Sequence, residues 1–347
     1  MKENQILEKI SKYRTLIMGI AILWIILFHT TKLNFSLPAY VKFPLFNLGF
    51  GGVDIFILLS GFGIYCSLHK DNEILNFYKK RIKRLLPVLP IILFFAFYRN
   101  DISFESIIGY VTQLNFFSPK YSFDIDYGRF WYIPIITAFY FISPILYNII
   151  HKHFSLKFVF VLMLLSIFVT IPFWKQPLQI MTICRLPIYI EGLILGYCLC
   201  NKINLSTKFI NCTYCLSILS FIFLSIAFTT IPNKIFGVNF FLYGIERYPF
   251  IILSLGICFV LAEVFNYMER ISFFKILLTP IDIIGKNTLE IYLIDALILA
   301  LYLWKLPYIN NPVIRVATSL IFGILYSYLL KMLNFVFCSC KKNKYND

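Results

Sequence analysis

Ten stretches of this chain are apolar over nearly enough or more than enough residues to cross a hydrocarbon layer. Each is bounded by charged or turn residues: 15–31, 44–68, 85–99, 130–150, 155–173, 183–200, 212–230, 247–265, 281–304 and 312–337. About 20 apolar residues span the roughly 30 Å core of a bilayer as a helix. Lipid offers no partner to an unpaired backbone N–H or C=O, so runs of this kind have to be helical. None alternates polar and apolar residues like a barrel strand. Composition fits: 59% of residues are hydrophobic and only 14% charged, against roughly 45–50% and 25% in soluble domains. The expected fold is an all-α integral membrane protein, a bundle of about ten transmembrane helices. Segment 101–118 is expected as an interfacial helix or an extension of the bundle.

The net charge of +15 would suit nucleic acid on a soluble domain, but no such domain is present to carry it. In membrane proteins an excess of Lys and Arg marks cytoplasmic loops. Lys2, Lys9, Lys12 and Arg14 precede the first run, and a dense basic cluster follows the second. Both termini are therefore expected to be cytoplasmic. The expected division is a cytoplasmic segment 1–14, a transmembrane domain 15–337 and a cytoplasmic tail 338–347. The first run lacks a small-residue cleavage site and reads as a retained span. Nine cysteines lie mostly in or beside apolar runs, where a free thiol behaves as a small hydrophobe. Cys212 and Cys215 have metal-like spacing without a second pair or a nearby His, so no metal is expected.

Polar residues inside such runs are costly, and each needs a reason. His29 stands near the far end of the first span, in AILWIILFHT. It is either a wetted interfacial residue or a general base, since imidazole titrates near neutrality. Asp54, in GGVDIFILLSGFGIY, is expected at a similar depth on the next span, where a carboxylate would orient the imidazole. A charge at a helix N-terminus is its ordinary reading. Ser60 is a candidate hydrogen-bond donor in a pocket, or an ordinary helix–helix contact. In FYKKRIKRLLP, Lys79, Lys80, Arg81 and Arg84 form either a positive-inside anchor or an anion seat. Arg129, Arg185 and Arg247 each open a span at its outer end and are followed by Pro134, Pro187 and Pro249. A cation at the positive end of a helix dipole is unfavourable, which points to pocket contacts, with snorkelling as the alternative. Trp131 and Tyr132 are candidates for stacking on a sugar ring, or members of an interfacial aromatic belt. Lys286 and Glu290, spaced i,i+4, are expected to neutralise each other.

Taken in order, IMGIAILWIILFH (17–29), GVDIFILLSGFGIY (52–65), FYKKRIKRLLP (77–87), RFWYIPIITAFYFISPIL (129–146), RLPIYIEGLILG (185–196) and IGKNTLEIYLID (284–295) resemble the acyltransferase 3 family of multispan membrane O-acyltransferases. The resemblance covers nearly the whole chain. It implies transfer of an acyl group, usually acetyl, from cytosolic acyl-CoA to a hydroxyl of a surface or exported polysaccharide or lipid-linked saccharide. It also implies a bacterial cell membrane, with acyl-CoA as cosubstrate and no bound cofactor. His29 occupies the family's catalytic position, as general base or acyl relay, and Asp54 is expected to support it. The arginine usually found eleven residues earlier is Met18 here, with Arg14 one turn nearer the cytoplasm. Arg14, Lys79, Lys80, Arg81 and Arg84 are the expected CoA-phosphate seat. Where the family's last motif commonly ends in His, this chain has Asp295. The rival reading is a transporter or flippase for a lipid-linked sugar or acyl group without transferase activity, which would predict inverted repeats; none is visible in the sequence.

Overall fold

The computed structural model describes residues 5–30, 43–98, 104–112, 130–173, 182–229, 244–301 and 311–343, together with a few isolated positions between them. Among the described residues the chain is helical, apart from one antiparallel pairing of two-residue strands, Lys234–Ile235 with Val238–Asn239. The helices in chain order are α1 Gln5–His29, α2 Gly51–Lys70, α3 Ile74–Leu85, α4 Val88–Tyr98, α5 Phe104–Thr112, α6 Tyr132–His153 and α7 Leu156–Phe168. They continue with α8 Leu186–Cys200, α9 Thr207–Thr229, α10 Pro249–Met268, α11 Ser272–Lys286, α12 Thr288–Ala300 and α13 Pro312–Asn343. Seven described helical stretches are long and apolar enough to cross a membrane: six within α1, α2, α6, α9, α10 and α13, and one, Leu156–Phe173, that continues α7 through a short 3-10 turn.

The other three expected spans are shorter helices. Run 85–99 yields only α4, and 183–200 yields α8. Run 281–304 breaks in two at Asn287, which separates α11 from α12. The Asn287 amide donates to the Ile283 carbonyl at 2.7 Å and accepts from Ser327 at 2.6 Å. A short polar side chain of this kind competes with the helical ladder for backbone groups. Segment 101–118 contributes α5, and residues 113–118 lie outside the described residues.

α2 is the central helix. Its sequence is apolar on every face, as expected of a helix surrounded by others, and nearly all its side chains are buried. Small residues let it meet α8 backbone to backbone. A Cβ on Gly192 would lie 2.1 Å from the Leu58 carbonyl oxygen, and one on Gly61 would lie 2.3 Å from that of Tyr189. Close approach of this kind replaces the hydrophobic driving force that is absent between helices in lipid. α1 packs beside α2, α10 and α11. Lys9 reaches Glu263 of α10 at 2.7 Å, and Lys12 pairs with Glu269 just beyond α10 at 2.5 Å. The exposed apolar side chains of α7, α9 and α13, among them Phe160, Ile218 and Phe322, form the outer belt that a bilayer would cover.

Candidate active site

Four positions on α1 define one line through the bundle. Arg14, Met18 and Ile25 face a cavity of about 420 Å³, and His29 follows Ile25 by four residues on nearly the same face, about 6 Å further along the helix. α12 runs beside α1 in the same direction. Gly285, at the end of α11, meets the Thr15 backbone, whereas Asp295 meets His29. The cavity therefore begins at the basic end of the bundle and stops about one turn short of the histidine.

The basic mouth is built by Arg14, Lys80, Arg81, Arg84 and Lys286. Gly63 of α2 makes room for Arg14, since a Cβ there would lie 2.7 Å from the guanidinium. Nε of Arg14 and Nε of Arg81 are buried with no hydrogen-bond partner. Arg81 also lies over the rings of Phe77 and Tyr140, at 5.1 and 5.5 Å. Lys80 pairs with Asp71 at 2.7 Å, and that ammonium holds the Asp71 carboxyl below the usual carboxylate range. Lys79 is exposed and is not part of the cavity wall. The expected pairing of Lys286 with Glu290 is not formed. Lys286 turns back to Asp282 at 2.5 Å, because the break at Asn287 interrupts the i,i+4 register, and Glu290 faces Arg84 at 3.9 Å. Half-buried arginines with unsatisfied Nε donors at the mouth of a cavity have the chemistry to receive an oxyanion such as a diphosphate.

At the other end, His29 Nδ1 lies 2.5 Å from Asp295 Oδ2. The carboxylate is fixed in turn: Ser319 donates to Oδ1 at 2.9 Å, and Arg315 Nη2 lies 3.7 Å from the same oxygen. Arg315 also donates to the His29 carbonyl at 2.8 Å. Asp295, Arg315 and Ser319 are completely buried, while the His29 side chain keeps about a fifth of its surface exposed. A carboxylate on Nδ1 selects the tautomer with its proton there and leaves Nε2 to act as base.

Asp54 is not the imidazole's partner. It accepts from Arg185 Nε at 2.7 Å, and neither side chain has any exposed surface. The start of α2 points Asp54 towards α8, where the Arg185 guanidinium is also held 4.7 Å from the Trp131 ring centroid. Depth along the bundle brought Asp54 and His29 into the same sequence-level expectation, but helix azimuth separates them. Arg247 pairs with Glu246 at 2.9 Å and lies 4.0 Å over the Phe50 ring. Trp131, Arg185 and Arg247 thus belong to a buried ion and ring network beside the site. Arg129 lies outside the described residues.

Ser60 and Tyr132 line the cavity. Tyr292 lines it from α12, three residues before Asp295, and its hydroxyl accepts from the Tyr132 backbone N–H at 3.4 Å. The sequence reading named Asp295 without assigning it to His29, and it missed Tyr292, Ser319 and Arg315 altogether. Arg315 carried a readable signal: like Arg185 and Arg247, it is a lone arginine within three residues of a proline where an apolar run begins. A second hollow, between Trp24, α9 and α10, contains no charged side chain and offers no chemistry. Among the described residues no cluster of His, Cys, Asp and Glu is arranged to hold a metal.

No curated protein and no solved structure is a significant match to the chain. The model of the acyltransferase 3 family, described as an acyltransferase domain, matches residues 15–332. With that match over nearly its whole length and a helical architecture suited to the bilayer, the chain belongs to the acyltransferase 3 family of membrane acyltransferases.

Proposed function

We propose that the protein is a membrane-embedded O-acyltransferase. It takes an acetyl group from acetyl-CoA bound at the basic end and passes it to a sugar hydroxyl of a surface or exported polysaccharide at the histidine end. The observation that carries this reading is the cavity itself. Its mouth is cationic, its walls become apolar, and it points at a His–Asp pair one turn beyond its closed end. From Arg14 to His29 is 15 residues, about 22 Å along a helix. An extended pantetheine arm suits a narrow path of this kind, with the diphosphate among Arg14, Arg81 and Arg84. A cytosolic donor and a non-cytosolic acceptor then meet without either crossing the membrane. The bacterial cell membrane is the setting that this donor and acceptor imply.

In this mechanism His29 Nε2 takes the proton from the sugar hydroxyl as its oxygen attacks the thioester carbonyl carbon. Asp295 stabilises the imidazolium that forms. As the tetrahedral intermediate collapses, the C–S bond breaks and His29 returns the proton to the leaving thiolate, giving CoA thiol and the sugar ester. Arg315 and Ser319 hold Asp295 oriented towards His29. The buried Asp54–Arg185 pair holds α2 to α8 and keeps the cavity walls in register.

The test compares envelope polysaccharide from cells making wild type or His29→Ala at matched membrane levels, with O-acyl esters scored by NMR. Esters that appear with wild type and vanish with the variant are expected, and the shifted sugar protons identify the acceptor. Esters that persist in the variant would overturn the role given to His29.

A further inference from the structure

The closed end of the cavity is walled by bulky side chains from four helices: Ile25 of α1, Val53 and Phe56 of α2, Tyr132 of α6 and Tyr292 of α12. Three of these are aromatic and touch in sequence. Phe56 and Tyr132 have ring centroids 6.3 Å apart, and Tyr132 meets Tyr292 edge to face at 5.4 Å. Phe56 and Tyr292 are buried, and the Tyr292 hydroxyl accepts from the Tyr132 backbone N–H. The result is an aromatic collar. It sits at the level of Ile25 on α1, one turn below His29, and at Tyr292 on α12, about one turn below Asp295.

We propose that Phe56, Tyr132 and Tyr292 set the size of acyl group the enzyme accepts, restricting it to two or three carbons. The inference rests on the donor reading above. If the diphosphate is anchored at Arg14, Arg81 and Arg84, the thioester is delivered to the collar. A thioester in its preferred planar form carries the acyl tail onward, in line with the extended pantetheine arm. The tail therefore points at the closed end of the cavity, whose wall consists of packed rings. A methyl group fits beside them, whereas a longer tail meets a close-packed surface that yields only at the cost of strain. A pocket of fixed shape discriminates by about tenfold or more for each methylene it cannot accommodate.

The experiment measures binding of CoA, acetyl-CoA and hexanoyl-CoA by calorimetry to the full-length protein in lipid nanodiscs. For wild type, CoA and acetyl-CoA are expected to bind within about threefold of each other, and hexanoyl-CoA at least about tenfold more weakly. In Phe56→Ala the hexanoyl penalty, read as the ratio of hexanoyl-CoA to CoA dissociation constants in that variant, is expected to fall to about threefold or less. Phe56→Leu, a milder change, should give an intermediate result and carries the test if the alanine variant does not fold. Unchanged CoA affinity in a variant shows that its basic end is intact. Wild type binding hexanoyl-CoA as tightly as acetyl-CoA would overturn the proposal. So would continued rejection of hexanoyl-CoA by Phe56 variants that bind CoA normally. Failure of wild type to bind CoA at all would instead remove the donor reading, and this inference with it.

Discussion

Replacing Asp295 with Asn tests the catalytic geometry more sharply than removing His29. The substitution is nearly isosteric, so its effect follows from which way the amide turns. On one side of residue 295 lie two donors, the Ser319 hydroxyl at 2.9 Å from Oδ1 and Arg315 Nη2 at 3.7 Å. On the other lies His29 Nδ1. The amide oxygen is drawn towards the two donors, which turns the amide N–H₂ onto Nδ1. The imidazole must then accept at Nδ1 and carry its proton on Nε2, where it cannot act as a base. Loss of the charge alone would cost about 1.5–3 kcal/mol, or roughly 10- to 150-fold in rate. Enforcing the wrong tautomer brings the loss towards ten-thousandfold, on the order seen when the carboxylate of a His–Asp pair becomes an amide. The assay is the initial rate of label transfer from radioactive acetyl-CoA into envelope glycan in membrane vesicles, with acetyl-CoA affinity measured in parallel. A rate reduced by at least about a hundredfold at unchanged affinity is expected. Retention of more than about a tenth of the wild-type rate would refute the assignment of Asp295 as the partner that sets the tautomer.

Three further outcomes are expected. Arg14→Ala should weaken acetyl-CoA binding by about 10- to 150-fold, the equivalent of one lost charged hydrogen bond, and should flatten the salt dependence of the remaining affinity; calorimetry across a salt series reads both. Gly63→Ala, which places a Cβ 2.7 Å from the Arg14 guanidinium, should weaken the same binding while leaving thermal unfolding nearly unchanged, because the flexible end of Arg14 can move aside. Arg185→Ala strands a fully buried Asp54 and should cost about 3–5 kcal/mol of stability, whereas Asp54→Leu with Arg185→Leu should lie close to wild type; denaturation in detergent separates the two, and equal losses would show that the pair is not what matters.

The break within run 281–304 shows how far a hydropathy reading extends. Apolar length predicts that a segment is buried in lipid or protein, but it does not see one asparagine competing for the backbone. Here that competition splits a span into α11 and α12, turning Lys286 and Thr288 towards the cavity. Asp54 illustrates a second limit. Sequence order along a helix gives depth, and depth placed Asp54 near His29. The direction in which a side chain points around its helix is decided by neighbouring helices, and Gly61 and Gly192 lock α2 against α8 so that Asp54 meets Arg185.

The sequence by itself determined the class of fold, because twenty-residue apolar runs in a backbone that must satisfy its own hydrogen bonds leave only helices. It also supplied the histidine, the basic cluster and the ordered motifs of the family, since each is a local feature of residue type and spacing. Only the tertiary structure decided which acid meets His29, because Asp295 lies 266 residues away along the chain. It alone placed Arg14, Arg81 and Arg84 around one cavity and closed that cavity with Phe56, Tyr132 and Tyr292. These groupings depend on the azimuths and crossings of helices packed in three dimensions, and no local property of the chain encodes them separately.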